Sequence, residues 1–207
     1  TFSRGIDFGS DKRDLAMITT NLQADKGISS FDRTHVLALS YVYEVPFFRK
    51  GPLGFARPVL GGWQFAGFTM FQSGLPTSIL VSGDVAGVSG GGSQRANVIG
   101  DGTLSRGDRT LKTFINTSAF AVPAQGTFGN SGRNNIRRPG TNNWDVSISK
   151  YVPLKERLKL QIRAEFFNIW NHLSYNNFQN TLGNSGFGAI NSADPARVIQ
   201  VALRAQF

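Results

Sequence analysis

Between positions 198 and 207 the chain alternates between two sides without a break, and only a strand sorts such a pattern into two faces. Ile199, Val201, Leu203, Ala205 and Phe207 fall on one side, and Gln200, Ala202, Arg204 and Gln206 on the other. Successive side chains of a strand point to opposite faces, so the segment has one apolar and one polar face. Its length matches a tilted strand that crosses a bilayer, about 9–11 residues.

Positions 158–166 repeat the pattern. Leu158, Leu160, Ile162, Ala164 and Phe166 alternate with Lys159, Gln161, Arg163 and Glu165. A helix competes here, because Leu158, Ile162, Phe166, Ile169, Trp170 and Leu173 also fit a 3.6-residue period. The strand is favoured: Leu160 would stand on the polar side of such a helix, and no Ser, Thr, Asp or Asn cap precedes it. A strand is therefore expected over 158–170. Upstream, Trp144, Val146 and Ile148 alternate with Asp145, Ser147 and Ser149. This gives a strand over 144–151 that forms a hairpin with the next through a short link containing Pro153. Two earlier strands are expected over 34–45, with Leu37, Leu39, Tyr41 and Tyr43 on one face, and over 63–72, with Trp63, Phe65 and Phe71 opposite Gln64 and Gln72.

Composition agrees. Twenty-four Gly, fifteen Asn and seventeen Phe against two Met and three Glu point away from helices. No run of about 18 apolar residues exists, which excludes a membrane-spanning helix but not a spanning barrel. With no Cys, disulfide scaffolds, zinc ribbons and thiol chemistry are excluded. No basic-then-apolar leader precedes Thr1, so either a targeting segment was removed or the chain is a fragment.

Two stretches, 73–143 and 172–197, lack periodicity and are dense in Gly, Asn and Ser. Structureless links of that size are uncommon in a compact soluble domain. With five antiparallel strands the short links fall at one end and the long ones at the other, as in a spanning barrel. The fold class read from the sequence is all-β: antiparallel up-and-down strands forming the C-terminal portion of a transmembrane β-barrel. The long links are expected to be extracellular surface loops that bury little apolar area and are the most mobile and protease-sensitive regions. In such a barrel Gln161, Arg163, Glu165, Gln200 and Arg204 would face the lumen. Tyr41, Tyr43, Trp63, Trp144, Trp170 and Phe207, at or near strand ends, would form interfacial girdles.

Other chemistries were weighed. The net charge of +9 invites a basic soluble β-protein that binds nucleic acid or glycan. The densest basic group, Arg133, Arg137 and Arg138, reads as a solvated loop instead. Gly87-Val88-Ser89-Gly90-Gly91 has the form of a nucleophile elbow but lacks the helix that motif requires. His35 and His172 cannot make a zinc site alone. Asp7, Asp11 and Asp14 match no EF-hand spacing and read as a solvated turn. No enzyme, metal, cofactor or nucleic-acid partner is expected.

The run Asp32-Arg33-Thr34-His35 leading into Leu39-Ser40-Tyr41-Val42-Tyr43-Glu44-Val45-Pro46 resembles the C-terminal part of TonB-dependent outer-membrane receptors. The resemblance is to the acidobacterial group with a carboxypeptidase-regulatory-like domain. Gly62-Trp63-Gln64, Gln72-Ser73-Gly74-Leu75-Pro76, Phe114 to Phe120, Gly126 to Asn134 and Arg163 to His172 are similar to further stretches of that family. No single motif is specific, but their order and spacing cover nearly the whole chain. The resemblance implies a plugged barrel of 22 strands that imports a scarce nutrient, such as a siderophore or glycan. The TonB complex would drive it through a region N-terminal to Thr1. It also implies that the terminal strand, with Leu203, Ala205 and Phe207, is read by the barrel assembly machinery. Plug and N-terminal domains are missing from this sequence.

Overall fold

The computed structural model describes residues 1–10, 16–18, 20–46, 59–89, 94–153 and 158–206. Five long strands dominate it: β1 (Val36–Glu44), β2 (Trp63–Gln72), β3 (Thr141–Pro153), β4 (Lys159–Phe167) and β5 (Val198–Gln206). They form one sheet in the order β5-β4-β3-β2-β1, an up-and-down meander in which each strand neighbours the next in sequence. The β3–β4 and β4–β5 pairings are antiparallel and unbroken in register. The fold is all-β, and no helix is long and apolar enough to cross a membrane among the described residues.

Strand β4 ends earlier than periodicity implies. Asn168 (φ 54°) and Asn171 (φ 52°) take left-handed backbone conformations, which asparagine tolerates better than most residues. The Asn168 amide donates to Asp145 Oδ1 at 2.9 Å, and Asn168 Oδ1 accepts from the His172 amide at 2.9 Å. This local clamp turns the chain after Phe167, so Trp170 stands outside the strand. Phe207 lies outside the described residues.

The chain divides into two compact units. The sheet makes up one: Leu37–Phe71, Asn142–Leu173 and Pro195–Phe207. The other is Thr1–Val36, Gln72–Thr141 and Ser174–Asp194, which corrects the expectation of links that bury little apolar area. Ile79, Val81, Ala96, Phe114, Ile115, Ala119, Phe120, Ile136 and Phe178 form a buried cluster, flanked by Val85, Val98, Leu182, Phe187 and Ile190. These residues come in ones and twos from distant places, so no sustained period announces them. Short strand pairs gather them: Asn97–Val98 with Phe120–Ala121, Pro76–Thr77 with Ile136–Arg137, and Tyr175–Phe178 with Ile190–Ala193.

Ion pairs close the same unit. Arg95 Nη1 meets Asp25 Oδ1 at 2.6 Å with both side chains about 5% exposed or less. Its Nε and Nη2 donate to the Ser131 and Ala24 carbonyls. Arg133 pairs with Asp7 and donates to the Asp25 carbonyl at 2.8 Å. Arg137 pairs with Asp32 at 2.5 Å. Of the three arginines expected in a solvated loop, Arg133 and Arg137 are thus tied to the N-terminal segment, and Asp7 is an ion-pair partner rather than a free turn residue. Asp11 and Asp14 lie outside the described residues.

Burial alone would push the Asp32 carboxyl up. The hydrogen bonds from Arg137 and the Gly5 amide, the Arg137 charge and the Thr34 hydroxyl together hold it below its ordinary value. A carboxyl lowered on folding contributes stability above its unfolded pKa, and that contribution is lost as pH falls through the folded value. The protection of the Gly5 amide against hydrogen exchange, relative to a free amide at the same pH, should therefore fall below about pH 4, and Asp32→Asn should flatten that dependence. Asp25→Ala would strand the Arg95 guanidinium and should cost about 3–5 kcal/mol. The loss would be read as faster exchange across 94–138 with the 198–206 strand unchanged.

Candidate functional site

Registered residues on neighbouring strands share a face, so the pairings sort the sheet into two surfaces. Gln161 lies opposite Arg204, Arg163 opposite Ala202 and Glu165 opposite Gln200. Tyr151, Ser149 and Ser147 of β3 face the same three β4 residues. The five sequence-derived candidates Gln161, Arg163, Glu165, Gln200 and Arg204 thus come together on one polar face. On the other face Leu160, Ile162, Ala164 and Phe166 oppose Ala205, Leu203, Val201 and Ile199. Val146, Ile148 and Val152 extend that apolar surface onto β3.

Side-chain contacts carry both faces across β2. The Tyr151 hydroxyl donates to Gln64 Oε1 at 3.2 Å and accepts from Gln161 Nε2 at 3.0 Å, a polar chain spanning three strands. Arg163 and Glu165 approach within 3.5 Å farther along β4. Between them and β1 lies a concavity of about 270 Å3 lined by Ser40, Ala66, Phe68, Ser147, Glu165 and Phe167. The two phenylalanines and small residues make it more apolar than the sequence-derived candidates implied. Strict alternation hid this, because Phe68 and Phe167 occupy polar-face positions.

The apolar face is bounded by aromatic residues. At one end Phe71 meets Trp144 edge-on at 5.8 Å, and Trp144 meets Trp170 at 6.5 Å. At the other end the Lys150 ammonium sits 5.2 Å from the Trp63 ring centroid and donates to the Val59 carbonyl at 2.9 Å and to that of Gly61. Lys150 is the one basic residue of β3 and stands opposite Ile162, on the apolar face. Eight residue steps separate Trp63 from Phe71, about 26 Å along the strand. Tyr41, expected near a strand end, instead stands in the middle of β1, where its ring lies over Gly67 and leaves no room for a Cβ. The sheet accepts a mid-strand glycine because this ring covers the backbone.

Val201 and Leu203 are 74% and 70% exposed, and Leu37, Leu39, Phe65 and Ile162 are exposed too. A continuous apolar face uncovered by the chain's own described residues is a surface for another apolar phase. Ser89, the elbow candidate, has φ 44° and donates its amide to Asp84 Oδ2 at 2.8 Å. Asp84 also accepts from the Gly87 and Val88 amides, so this loop is organised around a carboxylate. No group of three potential metal ligands occurs among the described residues.

The outer membrane beta barrel domain family matches residues 1–200 of the chain. No curated protein matches the chain, and no solved structure does. Tyr151→Phe should cost no more than about 1 kcal/mol, because the Gln64 and Gln161 amides it leaves can turn to water. A loss of several kcal/mol in the unfolding free energy would mean that the three-strand polar chain is enclosed.

Proposed function

The chain belongs to the outer membrane beta barrel domain family, and from that premise we propose that it is the barrel wall of a TonB-dependent transporter that imports a scarce nutrient. Bacterial outer-membrane localisation and the barrel fold follow from the family. The transport role, its energy source and its substrate class are the proposal. The observation that carries it is the division of the sheet into an exposed apolar face and a polar face holding Gln161, Arg163, Glu165, Gln200 and Arg204.

In this reading the apolar face meets lipid and the polar face lines the lumen. The aromatic boundaries support it: about 26 Å of strand, tilted by about 40°, spans some 20 Å of membrane, close to the apolar band of known barrels, about 25 Å. Lys150 fits the same scheme, since a lysine near an interface keeps its head among polar groups while its stem lies along apolar surface. The ordered succession of family-like segments from Asp32 to His172 supports the TonB-dependent type. The long links would lie on the extracellular side. The TonB complex would act through residues N-terminal to this sequence. The barrel assembly machinery would meet the C-terminal segment that holds β5, reading Leu203, Ala205 and Phe207. No catalytic step is assigned to the chain, and no cofactor or nucleic-acid partner enters the scheme.

Leu203→Arg in the full-length protein should cost about 2–4 kcal/mol if the residue stands near mid-bilayer, whereas Arg204→Leu should be milder. Unfolding from lipid vesicles measures both, and the reverse ranking would invert the faces. Depleting TonB should abolish energised uptake of candidate siderophores and glycans through this protein without changing its amount in the outer membrane. Uptake that persists would remove TonB from the scheme.

A further inference from the structure

Three arginines stand close together at 133, 137 and 138, and two of them are committed to carboxylates, Asp7 and Asp32. Arg138 is not. Its Nε is buried with no acceptor among the described residues. The guanidinium's one hydrogen bond there is a long one, 3.5 Å from Nη2 to Thr77 Oγ1. Nη1 has no acceptor among the described residues and, unlike Nε, is not enclosed, so that end of the fork reaches the surface. A guanidinium has five N–H donors and cannot shed its charge in proteins. Leaving it partly desolvated and unpaired costs free energy unless something anionic completes it.

Its neighbours supply one further donor and, among the described residues, no carboxylate. Thr77 is 4% exposed, and its oxygen accepts from Asn180 Nδ2 at 3.2 Å as well as from Arg138. With its lone pairs engaged, the Thr77 hydroxyl has only its hydrogen left to offer. Asn180 is held in place by a second bond from Nδ2 to the Ser78 carbonyl at 2.8 Å. The backbone beneath is fixed too: Pro76–Thr77 pairs with Ile136–Arg137, and the Arg138 amide donates to the Leu75 carbonyl at 2.9 Å. A forked cation and a hydroxyl with its hydrogen uncommitted therefore stand side by side, positioned by a short ladder.

We propose that Arg138 and Thr77, braced by Asn180, form a binding site for an oxyanion, a carboxylate or phosphate group that docks on the Nη edge of the guanidinium and accepts from the Thr77 hydroxyl. The site does not depend on the transport reading. The group can come from a small soluble molecule or from a lipid headgroup, and fork geometry serves both.

The test uses the full-length protein in nanodiscs of zwitterionic lipid, titrated with inorganic phosphate and with acetate at constant ionic strength. A second arm replaces part of the lipid with an anionic phospholipid and follows thermal stability. Saturable binding of either free anion is expected, weakened at least tenfold in Arg138→Gln and several-fold in Arg138→Lys, which keeps the charge but loses the fork. Arg106→Gln, on the exposed 106–108 turn of the same unit, should bind as the parent does. Should the Gln variant fail to fold, the Lys variant decides. A response to anionic lipid alone, lost in Arg138→Lys, would assign the oxyanion to a headgroup. No saturable response in either arm, or equal responses in parent and both Arg138 variants, would overturn the site.

Discussion

A backbone amide or carbonyl that enters hydrocarbon must find its partner within the protein, and the meander satisfies that requirement strand by strand. Each inner strand of the five has two neighbours, and the order β5-β4-β3-β2-β1 needs no crossover. Once pairing fixes the backbone, a shift of one residue would turn every side chain to the opposite face. The register of β4 against β5, which keeps Ile162 with Leu203 and Gln161 with Arg204, is what makes one surface apolar and the other polar. The outer strands β1 and β5 each keep a long edge without a strand partner among the described residues, which a closed barrel abolishes.

The sheet was legible in the sequence because each of its strands carries its own signal. Strand β2 falls at 63–72 and β5 starts at 198 as read, while the ends of β1, β3 and β4 differ by up to three residues. Asn168 is the clearest case: its left-handed turn ends β4 at Phe167, although the apolar period continues to Trp170. The second unit was not legible, because its core residues come in ones and twos among glycines and polar residues. Ile79, Phe114, Ile136 and Phe178 meet only through pairing across distant segments, and no window of sequence contains that information.

Polar side chains of the family-like segments have structural work in that unit. In 126–134, Asn130 and Asn97 bond each other's neighbourhood reciprocally: Asn130 Oδ1 accepts from the Val98 amide, and Asn97 Oδ1 accepts from the Asn130 amide. Asn134, at φ 55°, donates to the Ile28 carbonyl at 2.6 Å. In 32–35, Arg33 donates to the Ser73 carbonyl and the His35 amide to the Ser73 hydroxyl, so two such segments meet directly. Of the five polar-face residues named from the sequence, all stand on one surface, yet the concavity beside them is floored by Ser40, Ala66 and Phe68, which alternation alone did not single out.

The unit built from Thr1–Val36, Gln72–Thr141 and Ser174–Asp194 is discontinuous in sequence, with sheet strands running between its pieces. Arg133 reaches the Asp7 carbonyl across 126 positions, and Asn134 reaches Ile28 across 106. Contacts so remote form only after the loop-closure entropy of the intervening chain has been overcome. Hairpin pairing of β3 with β4 carries far less of that cost. Formation of the ladder shortens the effective separation between the three pieces, and the Arg–Asp pairs can then lock them. The loop-closure cost of these remote ion pairs is therefore lower with the hairpins formed than without them.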